Sequence, residues 1–455
     1  MKMVLSLPLV ILVAHTANAE VYRVGPDFEP KSLLAVASKL RPGDVVEIES
    51  GTYREVLRLT ANGTKEAPIV IRGTSKARPV FDAEGLNVSG RGSTPRGILQ
   101  VEGAYYVIER LEFKNARNGE NAAGIRLLGS TNTVVRDCRV SGCDMGIFGG
   151  DKETATIEAC EVAFNGTAEF NSYSHNFYMG GNRVVVRNCH IHDSLYGQNF
   201  KSRAHYNELW YNWIADSNEG EVGPVDGKGA TDRPNSNMLM VGNIIVSKPN
   251  RTGNKAKFIL FGSESGGSHD GTLYMFHNTL IAGSPDTIFV QLHDPKARAL
   301  ICNNIFFGSN RILLNAQEPI SVTGSNNWMP GDAEVPKAFT DTIVGRDPGF
   351  VNAGSRDFHL KPNSPCVGRA TGNMEYVDGD GVEHSVSVDR CYAPHLKSAP
   401  RTQVGAPDIG GYELESPTAL LHTCHRIALQ PEMEYGVCIV LDSAFSRVAG
   451  WRQQS

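Results

Sequence analysis

Residues Ser174–His205 read SHNFYMGGNRVVVRNCHIHDSLYGQNFKSRAH. Two short runs of one design lie within them, His175-Asn176-Phe177-Tyr178-Met179-Gly180 and Gln198-Asn199-Phe200-Lys201-Ser202-Arg203. Between them sits a β-branched run, Val184-Val185-Val186, that leads into Asn188-Cys189-His190-Ile191. Along a strand, successive side chains point to opposite faces. Phe177 and Phe200 are therefore expected inside, and Asn176, Tyr178, Asn199, Lys201 and Arg203 outside. If the two runs stack as neighbouring strands, those polar groups meet on one surface.

The rest of the chain supports stacking. From Val107 onward one unit recurs: two apolar residues, a polar pair, then Leu, Cys or Asn, one residue, and an apolar residue. Val134-Val135-Arg136-Asp137-Cys138-Arg139-Val140 and Val185-Val186-Arg187-Asn188-Cys189-His190-Ile191 are examples. The key positions 111, 138, 160, 189, 212, 243, 278 and 303 lie 22 to 35 residues apart. A second strand family falls between these units, at Ile125, Ile147, Phe177, Phe200, Ile259 and Phe289. This period, with several short strands per unit, signals a solenoid. Helical repeats lack the uninterrupted stretches they need, and propeller blades of about 40 residues fit the period worse. An all-β, right-handed parallel β-helix is the expected fold, with Pro30–Leu40 as a short N-terminal helical cap. Its inward residues form ladders: the second family as one, and Cys138, Cys160, Cys189, Asn212, Asn243, Asn278 and Asn303 as another at a coil corner.

Composition agrees. The 455 residues include 47 glycines and carry a net charge of -5, which suits a turn-rich β chain and disfavours nucleic-acid binding by bulk charge. Residues 1–19 read as a signal peptide: Lys2, an apolar run from Val4 to Ala14, and the small-x-small site Ala17-Asn18-Ala19. The mature chain is then expected outside the cytoplasm, secreted or periplasmic, with no membrane association and as a monomer. Nine cysteines leave at least one without an intramolecular partner, and a Cys138–Cys160 bridge is one option. Residues 20–413 form the expected β-helix domain, and 414–455 a C-terminal appendage or tail.

Two stretches resemble a known family. Gly51-Thr52-Tyr53-Arg54-Glu55 with Ala67-Pro68-Ile69-Val70-Ile71-Arg72 and Pro79-Val80-Phe81-Asp82 is similar to the first coils of the chondroitinase-B/alginate-lyase branch of the pectate lyase-like β-helix superfamily. Asp347-Pro348-Gly349-Phe350-Val351 and Pro407-Asp408-Ile409-Gly410-Gly411-Tyr412-Glu413 resemble the closing coils of exported β-helix proteins. The architecture hosts lyases, hydrolases, epimerases and non-catalytic adhesins.

The resemblance implies a polysaccharide-active protein, foremost a lyase cleaving an anionic, uronate-containing polysaccharide by β-elimination. That reaction needs a base for the proton beside the carboxylate and positive charge for the developing enolate. Lys201 is the candidate base, with its charge disfavoured by nearby Arg203 and Arg126. Arg203 is the candidate carboxylate binder, because its fork matches two oxygens. His175 and Tyr178 are the alternative acid or base. Tyr178, Asn199, Asn176 and Arg126 are the expected substrate contacts. The resemblance also implies a possible Ca²⁺, for which Glu219, Glu221 and Asp226 are the nearby carboxylates, Glu221 and Asp226 foremost. A glycoside hydrolase, a C5-epimerase and a carbohydrate-binding adhesin are the competing readings.

Overall fold

A computed structural model describes residues 19–414, apart from 75, 151, 255, 316–320, 395 and 404. The leader expected at 1–19, save its last residue, and the appendage expected at 414–455, save Leu414, lie outside the described residues. Three long parallel sheets run the length of the fold, with 13, 12 and 10 strands. We call them sheets 1, 2 and 3. One coil visits each in turn: Thr133–Arg136 in sheet 1, Arg139–Ser141 in sheet 2 and Met145–Gly149 in sheet 3. The next strand, Thr154–Glu158, then pairs in register on Thr133–Arg136. The fold is the parallel β-helix that the repeat predicts.

The corner between sheets 1 and 2 explains the repeat. One residue there adopts a left-handed backbone, and the next turns its side chain inward. The left-handed residues include Asp137 (φ 50°), Asn188 (φ 56°), Gly242 (φ 63°) and Asn303 (φ 62°). Asn, Asp and Gly tolerate this region best, which accounts for their frequency at the corner. The inward residues form the polar ladder. Asn212 Nδ2 donates to Asn243 Oδ1 at 2.9 Å, Asn243 to Asn278 at 2.9 Å, Asn278 to Asn304 at 3.0 Å and Asn304 to Asn327 at 3.1 Å. Cys189 N–H donates to Asn212 Oδ1 at 2.9 Å and so joins the thiol section to the amide section. The expectation for Asn303 is thus off by one. Asn303 holds the left-handed corner and Asn304 enters the ladder. The thiols of Cys138 and Cys160 are free, so the bridge considered between them does not form.

The apolar ladder in sheet 3 runs Ile125, Ile147, Phe177, Phe200, Val222, Ile259 and Val290. All seven are fully buried, and each contributes roughly 1.5–3 kcal/mol of burial. Val290 takes the place expected of Phe289, which packs edge-on against Phe258 instead. The helical cap is a single turn, Leu34–Ala37, shorter than the expected Pro30–Leu40. The Glu55 carboxylate accepts from Leu33 N–H and Leu34 N–H, both at 3.1 Å, and Leu33, Val36, Ala37 and Leu40 cover the first coil.

Parallel coils end at Ile343–Gly345. Of the stretches that resemble closing coils, 350–360 is an antiparallel hairpin, and two further hairpins, 374–386 and 390–400, stand between it and the segment 407–413. Phe350, Phe358, Ile409 and Tyr412 from this region form a second core with Ile244, Val246, Ile305 and Trp328. They cover apolar side chains on the outer face of sheet 2, where Ile244 and Ile305 stand in strands of that sheet.

Candidate active site

Sheet 3 places Arg126, Phe148, Tyr178, Lys201 and Gly223 at one position of five successive strands. The register makes this an outward column, one residue along from the buried apolar ladder. Phe148 and Tyr178 stack with centroids 5.3 Å apart. The Arg126 guanidinium lies 3.9 Å above the Phe148 ring, and burial together with Arg96 pushes its pKa down to about 10. The result is an aromatic strip with a cation at one end and Lys201 at the other.

Lys201 is buried with 6% of its side chain exposed, and its ammonium pairs with Glu264. The Lys257 ammonium reaches the other Glu264 oxygen at 3.2 Å and Glu219 at 3.9 Å. Arg203 lies 3.6 Å from Glu264 and donates from Nε to the Tyr178 hydroxyl at 2.9 Å. Three cations therefore gather on one carboxylate. Burial pushes Lys201 down to about 8; Glu264 opposes this, while Lys257 and Arg203 add to it. Burial raises Glu264, but Lys201 and Lys257 outweigh it and hold the carboxyl below its usual value.

Glu264 sits in a loop that Asp226 organises. Asp226 accepts from Ser265 N–H at 2.9 Å and from Gly267 N–H at 3.0 Å, and also from Glu264 N–H. Burial raises this carboxyl, yet the three backbone bonds and Arg203 hold it below its ordinary value. Asp226 thus sets the position of Glu264, and through it that of Lys201.

Gln198 adds an unsatisfied group. It is fully buried, and neither atom of its carboxamide has a hydrogen-bond partner among the described residues. A Cβ on Gly223 would lie 2.1 Å from Gln198 Oε1, so the carboxamide covers Gly223 at the outward column. Only glycine leaves that space. A buried amide with both ends free is costly unless something binds it.

Several expectations need correction. Asn176 and Asn199 are fully buried and face into the coil. Asn165 donates to Asn176 at 2.9 Å, Asn176 to Asn199 at 2.8 Å and Asn199 to Glu221 at 2.7 Å. Strict alternation fails for them because they precede their strands and belong to the corner. Their amides are engaged inside the fold and are not presented to a substrate. Glu221 ends that chain, paired with Arg251 at 2.6 Å, and burial raises its pKa. With Glu221 sealed inside, and Asp226 engaged by three backbone N–H groups, neither carboxylate fits Ca²⁺, which takes six to eight oxygens. His175 is 2% exposed, stacks on Tyr178 at 5.6 Å and accepts the Gln198 N–H at Nδ1. Burial first, then Lys201, Lys257 and Arg203, hold it well below its ordinary pKa. It supports Tyr178 as a neutral ring and is not an exposed acid or base. The structure brings together Lys201, Arg203, Tyr178 and, at the far end, Arg126.

Lys257, Glu264 and Gln198 escape the sequence reading. Glu264 is 63 residues from Lys201, and the only local signal is a carboxylate three residues past a sheet 3 strand. A wider cleft of about 860 Å³ lies over sheet 1, between Arg183, Arg187, Trp210 and the hairpin residues Asp389 and Arg390. Its charges cancel in pairs, Arg183 with Glu208 and Arg187 with Glu158, each at 2.6 Å. It offers no buried amine with a lowered pKa such as Lys201, so the chemistry favours the Lys201 cluster.

Residues 96–294 match the family described as right handed beta helix region. A rhamnogalacturonan lyase structure aligns with a TM-score of 0.52 at 15% identity, over 68% of this chain and 87% of its own. The complex of XylC with xylose aligns with a TM-score of 0.50 at 10% identity, over 87% and 98%. At such identity the likeness is one of fold. Among curated proteins, none matches the chain.

Proposed function

This chain is a right-handed parallel β-helix protein, and from that premise we propose that it is an exported lyase that cleaves a uronate-containing polysaccharide by β-elimination. The observation that carries the reading is the gathering of Lys201, Lys257 and Arg203 on the single carboxylate of Glu264, beside the Phe148–Tyr178 strip. The strip offers a sugar ring apolar surface, and a uronate carboxylate competes with Glu264 for the three cations. The leader-like first nineteen residues support export.

In this reading Lys201, with its pKa near 8, is substantially neutral in mildly alkaline solution. Its amine takes the proton from the carbon beside the uronate carboxylate. Arg203 and Lys257 hold the carboxylate and the negative charge that develops on it. The electron pair of the broken C–H bond forms a C=C bond as the glycosidic C–O bond breaks. The leaving oxygen receives a proton from the Tyr178 hydroxyl, which the Arg203 Nε–H contact orients, or from water.

The test is absorbance at the unsaturated-uronate band over a panel of pectate, rhamnogalacturonan, alginate and glycosaminoglycans. New absorbance that disappears in Lys201→Met is the expected result. No absorbance on any polymer, with and without added Ca²⁺, overturns the reading.

One observation favours a second reading. Glu219 and Glu264 both reach the Lys257 ammonium, at 3.9 and 3.2 Å. Their separation therefore falls below the upper end, about 9.5 Å, of the range over which paired carboxylates hydrolyse a glycosidic bond. New reducing ends without unsaturation, lost in both Glu219→Gln and Glu264→Gln, would select hydrolysis.

A further inference from the structure

On sheet 2, away from the Lys201 cluster, strand His190–His192 presents two imidazoles on either side of the fully buried Ile191. The next strand in the stack, Glu161–Ala163, pairs Glu161 directly with His190. The two rings stack with centroids 4.0 Å apart. One donor atom from each of Glu161, His190 and His192 lies within 4.8 Å of the other two.

The surroundings fix which atoms are offered. His192 Nδ1 bonds to Asp193 Oδ2 at 2.7 Å. An imidazole that gives its Nδ1 proton to a carboxylate carries its lone pair on Nε2. That Nε2 is buried and has no hydrogen-bond partner among the described residues. It stands 3.5 Å from Glu161 Oε1, without the alignment of a hydrogen bond. Arg139 Nε holds the other oxygen, Oε2, at 3.1 Å, which steadies the carboxylate and leaves Oε1 facing the histidines. Phe164 closes one side, edge-on to His192 at 5.3 Å.

We propose that Glu161, His190 and His192 form a site for a transition-metal cation of the Zn²⁺ class, with Asp193 as the carboxylate that orients His192. Two imidazole nitrogens and one carboxylate oxygen are a donor set that Zn²⁺ accepts, with a water in the fourth place. Hard cations such as Ca²⁺ take oxygen and do not suit it. Zn–N bonds of about 2.0–2.1 Å put the donors of a tetrahedral ion roughly 3.3 Å apart. Side-chain rotation of the two histidines closes the gap from the present spacing, with no change in the strands. The i, i+2 spacing on a strand is what sends both rings to the same face.

The site is separate from the proposed lyase chemistry and is tested without it. The full mature chain, carrying no added histidine tag, is stripped with chelator and titrated with Zn²⁺ by calorimetry. One ion per chain is expected, lost in His190→Ala and in His192→Ala, and weakened in Glu161→Gln. Asp193→Asn is expected to weaken binding about 10–100-fold. Circular dichroism checks that each variant keeps its fold. Should the histidine variants not fold, Co²⁺ added to the unaltered chain still decides the question. A tetrahedral visible spectrum without thiolate charge transfer supports the site. Thiolate charge transfer, absence of stoichiometric binding, or full binding retained in a folded His190→Ala/His192→Ala double variant overturns it.

Discussion

The Lys201 ammonium and the Glu264 carboxylate form an ion pair across 63 residues of chain, with 6% and 28% of their side chains exposed. The pair sits where the aromatic strip of sheet 3 ends. Glu264 is shared with Lys257 and approached by Arg203, so the pair is one edge of a cluster in which Lys201, Lys257 and Arg203 face Glu264, Glu219 and Asp226. A uronate carboxylate entering here competes with Glu264 for the three cations.

Replacing Lys201 by Met removes the proposed base and keeps most of its apolar volume. Turnover is expected to fall by about 10²–10⁴-fold, the usual contribution of a positioned general base. Initial rates on the responsive polymer measure this, with the melting temperature as a control for folding. A rate within a few-fold of the unaltered protein would exclude Lys201 as the base.

The pH profile follows from the same residue. With Lys201 near 8, kcat/KM should rise with pH up to about that value. Glu264 raises the Lys201 pKa, so Glu264→Gln should move the rising limb to lower pH. A limb that stays in place or moves up contradicts the coupling. Stability carries a matching signature. The folded state releases the Lys201 proton near 8 and the unfolded state near 10.4. Between those values the unfolded chain binds more protons, so Lys201 makes stability rise with pH across that window. Lys201→Met should flatten this rise in denaturant titrations.

Asp226→Ala removes the acceptor for three backbone N–H groups of the loop 264–267. The loop is expected to open to protease, and activity to fall although Asp226 takes no part in the bond changes. Loop cleavage tracked by mass spectrometry, beside the rate, tests this. Unchanged protease resistance would show that the loop does not depend on Asp226.

Gln198→Leu separates binding from stability. The carboxamide has no partner among the described residues, so an apolar replacement of similar size should leave the melting temperature equal or higher. KM should stay within a few-fold, because the carboxamide is fully buried. A lower melting temperature would show that the amide is satisfied in solution, as by a water.

Asn243→Ala probes the ladder. It orphans the Asn212 N–H, which donates to Asn243 Oδ1 at 3.0 Å. The cost of that group alone is about 1–3 kcal/mol. Urea denaturation should show it, and a loss under about 0.5 kcal/mol would argue that water replaces the amide.

The sequence by itself determined the coil. A recurring apolar pattern with Asn, Asp or Gly at several corners admits one solution, because a left-handed corner residue and an inward neighbour must alternate the same way in every turn. That pattern also placed Arg126, Phe148, Tyr178 and Lys201 in one column, since register between stacked strands carries a position from coil to coil. It could not fix residues at the corners, where alternation breaks. Asn303 was therefore exchanged for Asn304, and Asn176 and Asn199 were assigned to the wrong face. Only the tertiary structure decided the chemistry around Lys201. Glu264 and Lys257 arrive from a later strand and its loop, and Gln198 lies under Gly223, the neighbour of Lys201 in the column. Their meeting depends on distances between coils, and no local pattern encodes those. For the same reason the stretch 350–414, with its family-like ending, proved to pack on the outside of the coil, with Phe350 and Phe358 covering sheet 2 and Met374 and Val386 covering sheet 1.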